Sequence, residues 1–323
     1  MIILTGAAGF IGSCVLARLN EIGRKDILII DHFGSDADPK RNNLREKRYA
    51  EYLDKKDFLN QIVNDRIKGP VDGLLHIGAC SSTTLQDARY FQENNFEYSC
   101  HLAAWALKHN VRFIYASSAA TYGDGSRGYS DDHTLIKQWQ PLNLYGQSKQ
   151  KFDEWIFDHG YINRVVGLKF FNVFGPNEYH KGDMRSVIAK AYDRVAQEGR
   201  MQLFKSYRRE YGHGEQKRDF IYVKDAVDVV MFFVNNPNVN GIFNVGTGQA
   251  RTWNDLASAL FSAVGKERNI EYVEMPEILK DKYQYFTEAE MTKLRKAGYQ
   301  KSFIELETAV RDYIQYLNRH SYL

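Results

Sequence analysis

The sequence predicts an α/β fold, a doubly wound parallel sheet followed by a smaller α/β C-terminal part. Three observations predict it. Residues 2–5 are apolar or β-branched and run straight into a glycine-rich turn. Short apolar runs then alternate with stretches of helical periodicity to about residue 171, the pattern of parallel strands joined by crossover helices. At 323 residues the chain is long enough for one large α/β domain or two smaller ones.

In the opening turn, Gly6-Ala7-Ala8-Gly9-Phe10-Ile11-Gly12, glycines recur every three residues between a strand and the helical pattern Cys14, Val15, Leu16, Leu19. Such spacing lets the backbone turn tightly and approach a pyrophosphate, which the helix N-terminus then holds with N–H donors and its dipole. This is the Rossmann-like dinucleotide signature. The next strand, residues 26–31, ends in Asp31, 19 positions after Gly12. A carboxylate there accepts hydrogen bonds from the adenosine ribose and favours NAD. Lys40, Arg41 and Lys55 follow and can offset a 2′-phosphate, so the residues alone leave NAD and NADP both open.

Residues 73–77 read as a buried strand, and the small residues Gly78 to Ser82 after it let a ribose come close. A helical run spans about residues 88 to 109, with Asn94 near its start. Residues 112–116 form a further strand that ends in Ser117-Ser118-Ala119-Ala120. A hydroxyl at the C-terminal end of a strand faces the crevice where open α/β sheets bind ligands. Tyr145 and Lys149 then lie four apart, on one face of a helix. A free phenol has a pKa of about 10, and a fixed ammonium nearby favours its ionised form. Such a pair can take a proton from an alcohol while a hydride leaves its carbon. Alone the spacing is common; after a dinucleotide loop and with Ser118 27 positions upstream it marks a reactive centre.

Residues 165–171 form another strand, and Pro176 ends regular structure soon after it. From about residue 172 the texture turns to aromatic and polar loops. Lys205, Arg208, Arg209, Lys217 and Arg218 gather around a glycine-containing loop and suit the phosphates of a small substrate better than nucleic acid, since no aromatic–basic interleaving repeats. Residues 219–223 read as a strand, Asp225 as the cap of a helix through Asn235, and residues 242–246 as a return to the sheet. The organisation that follows is a dinucleotide domain of residues 1–171 plus 219–244 and a substrate domain of residues 172–218 plus 245–323.

Composition excludes several classes. A net charge of +3 is too small to imply nucleic acid or an anionic membrane. No run approaches the roughly 20 apolar residues of a membrane span, and no signal peptide fits before the glycine loop. Cys14, Cys80 and Cys100 are odd in number and lie in apolar surroundings, which predicts reduced core thiols and a cytoplasmic location. The nine histidines lack metal-ligand spacing, so no metal is expected.

Thr5-Gly6-Ala7-Ala8-Gly9-Phe10-Ile11-Gly12, the Ser118/Tyr145/Lys149 set and Phe171-Asn172-Val173 resemble the extended short-chain dehydrogenase/reductase family, over nearly the whole chain. Ala79-Cys80-Ser81-Ser82-Thr83-Thr84, His180-Lys181-Gly182, Lys217-Arg218-Asp219-Phe220 and Tyr283-Gln284 add a likeness to its nucleotide-sugar epimerases. The resemblance implies bound NADP, with NAD as the alternative, and inversion of one secondary alcohol of a nucleotide sugar. It implies cofactor contacts from Gly6, Phe10, Ile11, Gly12, Asp31, His32, Lys40, Lys55, Ile77, Gly78, Ala79, Cys80, Ser81, Asn94, Tyr145, Lys149 and Val173. It implies substrate contacts from Ser118, Asn172, His180, Lys181, Asp183, Lys190, Leu203, Phe204, Lys205, Ser206, Arg218 and Tyr283. Lys181 is implied as a second acid/base, because one fixed tyrosine serves only one of two faces. A homo-oligomer is implied too, ring-shaped pentamers being of the type the family includes.

Two features depart from that pattern: Ile77 stands where relatives carry an acid, and the loop of residues 206–216 is longer. Within the family the rival is a UDP-hexose 4-epimerase, which would share every cofactor residue. A 4,6-dehydratase fits less well, since Ala119 and Ala120 occupy the positions of its acidic pair. From another class, a redox-sensing regulator has no need of the Tyr145/Lys149 pair.

Overall fold

The structure, a computed structural model, describes residues 1–280 and 283–323. A seven-stranded parallel sheet forms its centre, built from β1 (Ile2–Thr5), β2 (Ile27–Asp31), β3 (Glu51–Asp54), β4 (Gly73–His76), β5 (Arg112–Ser118), β6 (Val165–Phe170) and a late strand, Gly241–Val245. The order runs β3, β2, β1, β4, β5, β6 and then the late strand. Every residue of β1, β4 and β6 is buried, as expected of parallel strands covered on both faces. These strands gave continuous apolar runs and were readable for that reason. β3 was not: Glu-Tyr-Leu-Asp is a half-exposed edge strand without an apolar run.

Helices cover both faces. α1 (Phe10–Glu21) follows the glycine loop, α2 (Lys55–Val63) follows β3, and the run expected over residues 88 to 109 divides into three. It comprises α3 (Ala88–Phe91), a π-helical turn (Gln92–Glu97) and α4 (Tyr98–Lys108). Inserted π turns of this kind recur at functional sites. α5 (Leu144–Asp158) carries Tyr145 and Lys149 and is capped by Asn143, whose side chain accepts from the Gly146 N–H at 2.8 Å.

The direction of winding reverses between β1 and β4, and such a switch point opens a crevice at the C-terminal strand ends. Beyond those ends β7 (Asn172–Phe174) begins a three-stranded sheet. It pairs in parallel with β9 (Lys217–Tyr222), which pairs antiparallel with β11 (Ala250–Thr252). β8 (Met201–Phe204) and β12 (Ile270–Val273) form a separate pair. In this numbering the late strand Gly241–Val245 is β10. The strand expected over residues 219–223 thus belongs to the small sheet, whereas the helix Val223–Asn235 packs on α1.

Two expectations need correction. Asp225 does not cap its helix: Tyr222 holds the N-cap position, and the Asp225 carboxylate in the first turn accepts from the Ile304 N–H at 2.8 Å. Cys14 is a core thiol and Cys100 packs half-buried against the core, both pushed up to about 12 by burial, whereas Cys80 is half-buried on the cleft wall. Among the described residues no helix is long and apolar enough to cross a membrane.

Candidate active site

A cleft of about 970 Å³ lies over the switch point. Its floor is the glycine loop. Gly6 has a φ of +69°, and a Cβ on it would stand 2.5 Å from the Cα of Gly78. A Cβ on Gly12 would stand 2.0 Å from the Gly6 carbonyl oxygen. Both positions therefore require glycine, and through them β1, α1 and the turn after β4 close to backbone contact. α1 starts at Gly9 with neither a side-chain cap nor an acid in its first turn. Its first N–H groups, on the cleft wall at Phe10, Ile11 and Gly12, are left for an anion.

At the end of β2 the Asp31 carboxylate accepts from the Ala8 N–H (2.8 Å), the His32 N–H (2.8 Å) and Lys40 Nζ (3.0 Å). Lys55 donates to Asn94 Oδ1 at 2.6 Å, and burial pulls its ammonium below the ordinary range. A helix N-terminus, a carboxylate at the end of β2 and two ammonium groups at one end of one cleft fit a dinucleotide. Every residue expected to touch the cofactor lines this cleft, Ile77 to Ser81 and Val173 included.

In the middle of the cleft stand Ser118, at the end of β5, and Tyr145, in the first turn of α5. Ser118 Oγ accepts from the Ala120 N–H at 3.1 Å. Burial pushes the Tyr145 phenol up, and the neighbouring Ser118 hydroxyl acts the other way. Lys149 is only 4% exposed, donates to the Ala116 carbonyl at 2.7 Å, and is brought down to about 8 by burial. Here the ammonium of Lys149 is held by a backbone carbonyl, and desolvation is the largest influence on the phenol.

Asn95 has a role the sequence did not reveal. It exchanges hydrogen bonds with the backbone of Cys80 (2.9 Å each way) and donates to Ser148 Oγ at 3.0 Å. The π turn aims it there, and no local pattern announces a π turn.

Lys181 enters the cleft from a separate turn, Tyr179–Met184, with Nζ 4.9 Å from the centre of the Phe10 ring. Burial lowers its pKa, and the Glu178 carboxylate 3.9 Å away partly opposes this. Beside it, burial holds His180 near pKa 4, and its Nδ1 lies 3.2 Å from Asn43 Nδ2. Arg218 is 6% exposed and sits 5.1 Å from the Tyr283 ring and 5.7 Å from the Trp253 ring. Its titratable neighbours are the neutral phenols of Tyr283, Tyr129 and Tyr211, and burial lowers its pKa. A buried guanidinium so placed suits an anionic ligand. Trp253 is a cleft residue that the sequence reading missed, since it looks like an ordinary first residue of the helix that follows β11.

Six expected substrate residues do not line the cleft. Leu203 points into the core because β8 pairs with β12, and Phe204 is held in the same pair. Lys205 pairs with Glu274 at 2.6 Å, and Ser206 donates to the Arg208 carbonyl at 3.0 Å. Lys190 donates to the Asp183 carbonyl at 3.3 Å, on the outer side of the Lys181 turn. Ser118, Asn172, His180, Lys181, Arg218 and Tyr283 do line it.

Residues 2–246 match the NAD dependent epimerase/dehydratase family. The ADP-L-glycero-D-manno-heptose-6-epimerase of Nitratidesulfovibrio vulgaris is 52% identical over 315 residues, 98% of this chain and 97% of its own. A protein of the same name from Fusobacterium nucleatum is 44% identical over 324 residues, again 98% and 97%. Among solved structures, the Helicobacter pylori ADP-L-glycero-D-manno-heptose-6-epimerase aligns with a TM-score of 0.81 at 27% identity, covering 98% of this chain and 96% of that one.

Proposed function

The chain belongs to the NAD dependent epimerase/dehydratase family, and from that premise we infer that it is the epimerase that inverts C6″ of ADP-D-glycero-D-manno-heptose. The product is ADP-L-glycero-D-manno-heptose, a precursor of the lipopolysaccharide inner core. The observation that carries the reading is one cleft in which a dinucleotide-binding end, the Ser118/Tyr145/Lys149 set and a second amine from a separate turn, Lys181, all meet.

The reaction oxidises the C6″ alcohol to a ketone and reduces it again from the other face. A nicotinamide cofactor, when bound, would supply the hydride acceptor and donor, and its positive charge when oxidised would favour the Tyr145 phenolate. Tyr145 takes the hydroxyl proton on one face, with Ser118 hydrogen-bonded to the reacting oxygen. Lys149 would hold the nicotinamide ribose. After the ketone turns, the alkoxide forming on the other face needs a proton from a group Tyr145 does not reach. Lys181, already lowered by burial, supplies it. Arg218, between Tyr283 and Trp253, binds the diphosphate.

We take NADP as the cofactor, because Lys40 and Lys55 both stand at the end of the cleft where Asp31 alone would repel a 2′-phosphate. The protein acts as a cytoplasmic homo-oligomer in this reading. Proton NMR of ADP-D-glycero-D-manno-heptose incubated with the purified protein, with no added cofactor, tests the function. A mixture of the two C6″ epimers supports it. No conversion even with added NADP⁺ contradicts it and directs attention to UDP-hexoses.

A further inference from the structure

Behind the reactive set lies a buried ion pair that the mechanism above does not use. Asp153, on α5 one turn beyond Lys149, has no solvent exposure, and Lys169 on β6 has 1%. One carboxylate oxygen of Asp153 accepts from the Tyr115 hydroxyl at 2.8 Å. The other accepts from Ser117 Oγ at 2.7 Å and from Lys169 Nζ at 2.6 Å. Lys169 also donates to Thr121 Oγ1 at 2.7 Å and lies 5.1 Å from the Tyr122 ring. One side chain therefore ties the helix bearing Tyr145 and Lys149 to β5, which ends in Ser118, and to β6, which leads into Asn172.

Stability does not account for this arrangement. A buried ion pair is often no better than apolar side chains of the same volume, because desolvation offsets attraction. What it supplies is a fixed geometry: two strands and a helix held by three donors on one acceptor group. Proton transfer needs that, since a displacement of about 1 Å can cost a hundredfold in rate.

We propose that Asp153 is a positioning residue for the reaction, fixing α5 against β5 and β6 so that Tyr145 and Lys149 meet the Ser118 end of the cleft. Lys149 faces Asp153 and Tyr145 on its own helix, His76 on β4 and Cys80 in the turn after β4, while Lys169 and Tyr115 approach Asp153 from β6 and β5. Asp153 is the first of these charges to favour the Lys149 ammonium against burial, and it also raises the Tyr145 phenol. Its removal therefore moves both groups in the same direction, toward lower pKa.

The inference rests on the reading of Tyr145 and Lys149 as the reactive pair, and the experiment separates the two. Full-length Asp153→Asn, Asp153→Asn with Lys169→Met, Tyr115→Phe and Tyr145→Phe are compared for kcat, KM and the pH dependence of kcat/KM. The double variant leaves no unpaired buried charge and so keeps the test open should the single variant fail to fold. Asp153→Asn and the double variant are expected to lose at least about tenfold in kcat with KM nearly unchanged, and to shift the whole pH profile toward acid. Tyr115→Phe, which removes one donor to the Asp153 carboxylate but no charge, is expected to lower kcat by a smaller factor without moving KM. A folded double variant with parental kcat and an unshifted profile overturns the proposal. If neither Asp153 variant folds, parental kcat in Tyr115→Phe overturns it instead. Full activity in Tyr145→Phe would mean that the reading of the reactive pair itself has failed.

Discussion

Tyr145 and Lys181 reach the same cleft from different elements, and each has a pKa moved by burial, the phenol up and the amine down. Tyr145→Phe and Lys181→Met should each lower kcat by at least about a hundredfold, the usual worth of a positioned acid or base. Both should retain bound cofactor, read from the absorbance of the purified protein. Parental activity in Lys181→Met would remove the two-group mechanism. Ser118, Tyr145, Lys149 and Lys181 were legible because their motifs are local in the chain. Asn95, Trp253 and Asp153 were not, since each meets its partners across different elements, as Asn95 does with Cys80, 15 positions away, and Asp153 with Lys169, 16 positions away. Leu203 to Ser206 failed for the opposite reason: neighbours in sequence were expected to share the cleft, but pairing of β8 with β12 turns Leu203 into the core and leaves Lys205 to Glu274.

Among elements, the glycine loop carries the strictest constraint. Gly12→Ala would drive a Cβ to 2.0 Å from the Gly6 carbonyl. The variant should purify without cofactor and melt at a lower temperature, seen by absorbance and thermal denaturation; parental cofactor content would contradict the close-approach argument. The loop at the end of β2 makes a separate prediction. Lys40→Ala combined with Lys55→Ala should reduce the preference for NADP over NAD at least about tenfold, since two charge-assisted contacts to a phosphate are lost, and binding titrations with both cofactors would show it. The central strands were legible from their apolar runs, whereas edge strand β3 and the π turn were not. β3 is too polar to stand out, and the π turn depends on one extra residue within an otherwise regular helix.

For the whole molecule, buried titratable groups set how stability follows pH. His76, between Thr5 Oγ1 and Ser99 Oγ at 2.7 and 2.8 Å, is held near pKa 3 by burial, and His133 and His180 near 4. In the unfolded chain each would titrate near 6.5. Below that pH the unfolded state binds more protons, so this stability is present above about 6.5 and is lost as pH falls toward 4. The loss approaches about 1.4 kcal/mol per pH unit for each group. Lys149 behaves oppositely at the alkaline end: brought down to about 8, its charged form opposes folding below that pH, and the penalty fades as pH rises toward 10.5. A melting series should therefore fall steeply from pH 6 to 4. Lys149→Met should melt above the parent at pH 7, with the difference shrinking between pH 8 and 10.5. A flat acid limb would contradict the burial of the three histidines.

The central claim is that one carbon loses a hydride and receives the same hydride back inside one cleft. ADP-D-glycero-D-manno-heptose carrying deuterium at C6″ tests it most directly, with the products followed by proton NMR and mass spectrometry in ordinary water. The account predicts that both epimers keep the deuterium at C6″ throughout approach to equilibrium. Loss of the label to solvent in step with epimerisation would show that the carbon exchanges a proton instead, and would contradict the oxidation–reduction mechanism built on Tyr145, Lys149 and Lys181.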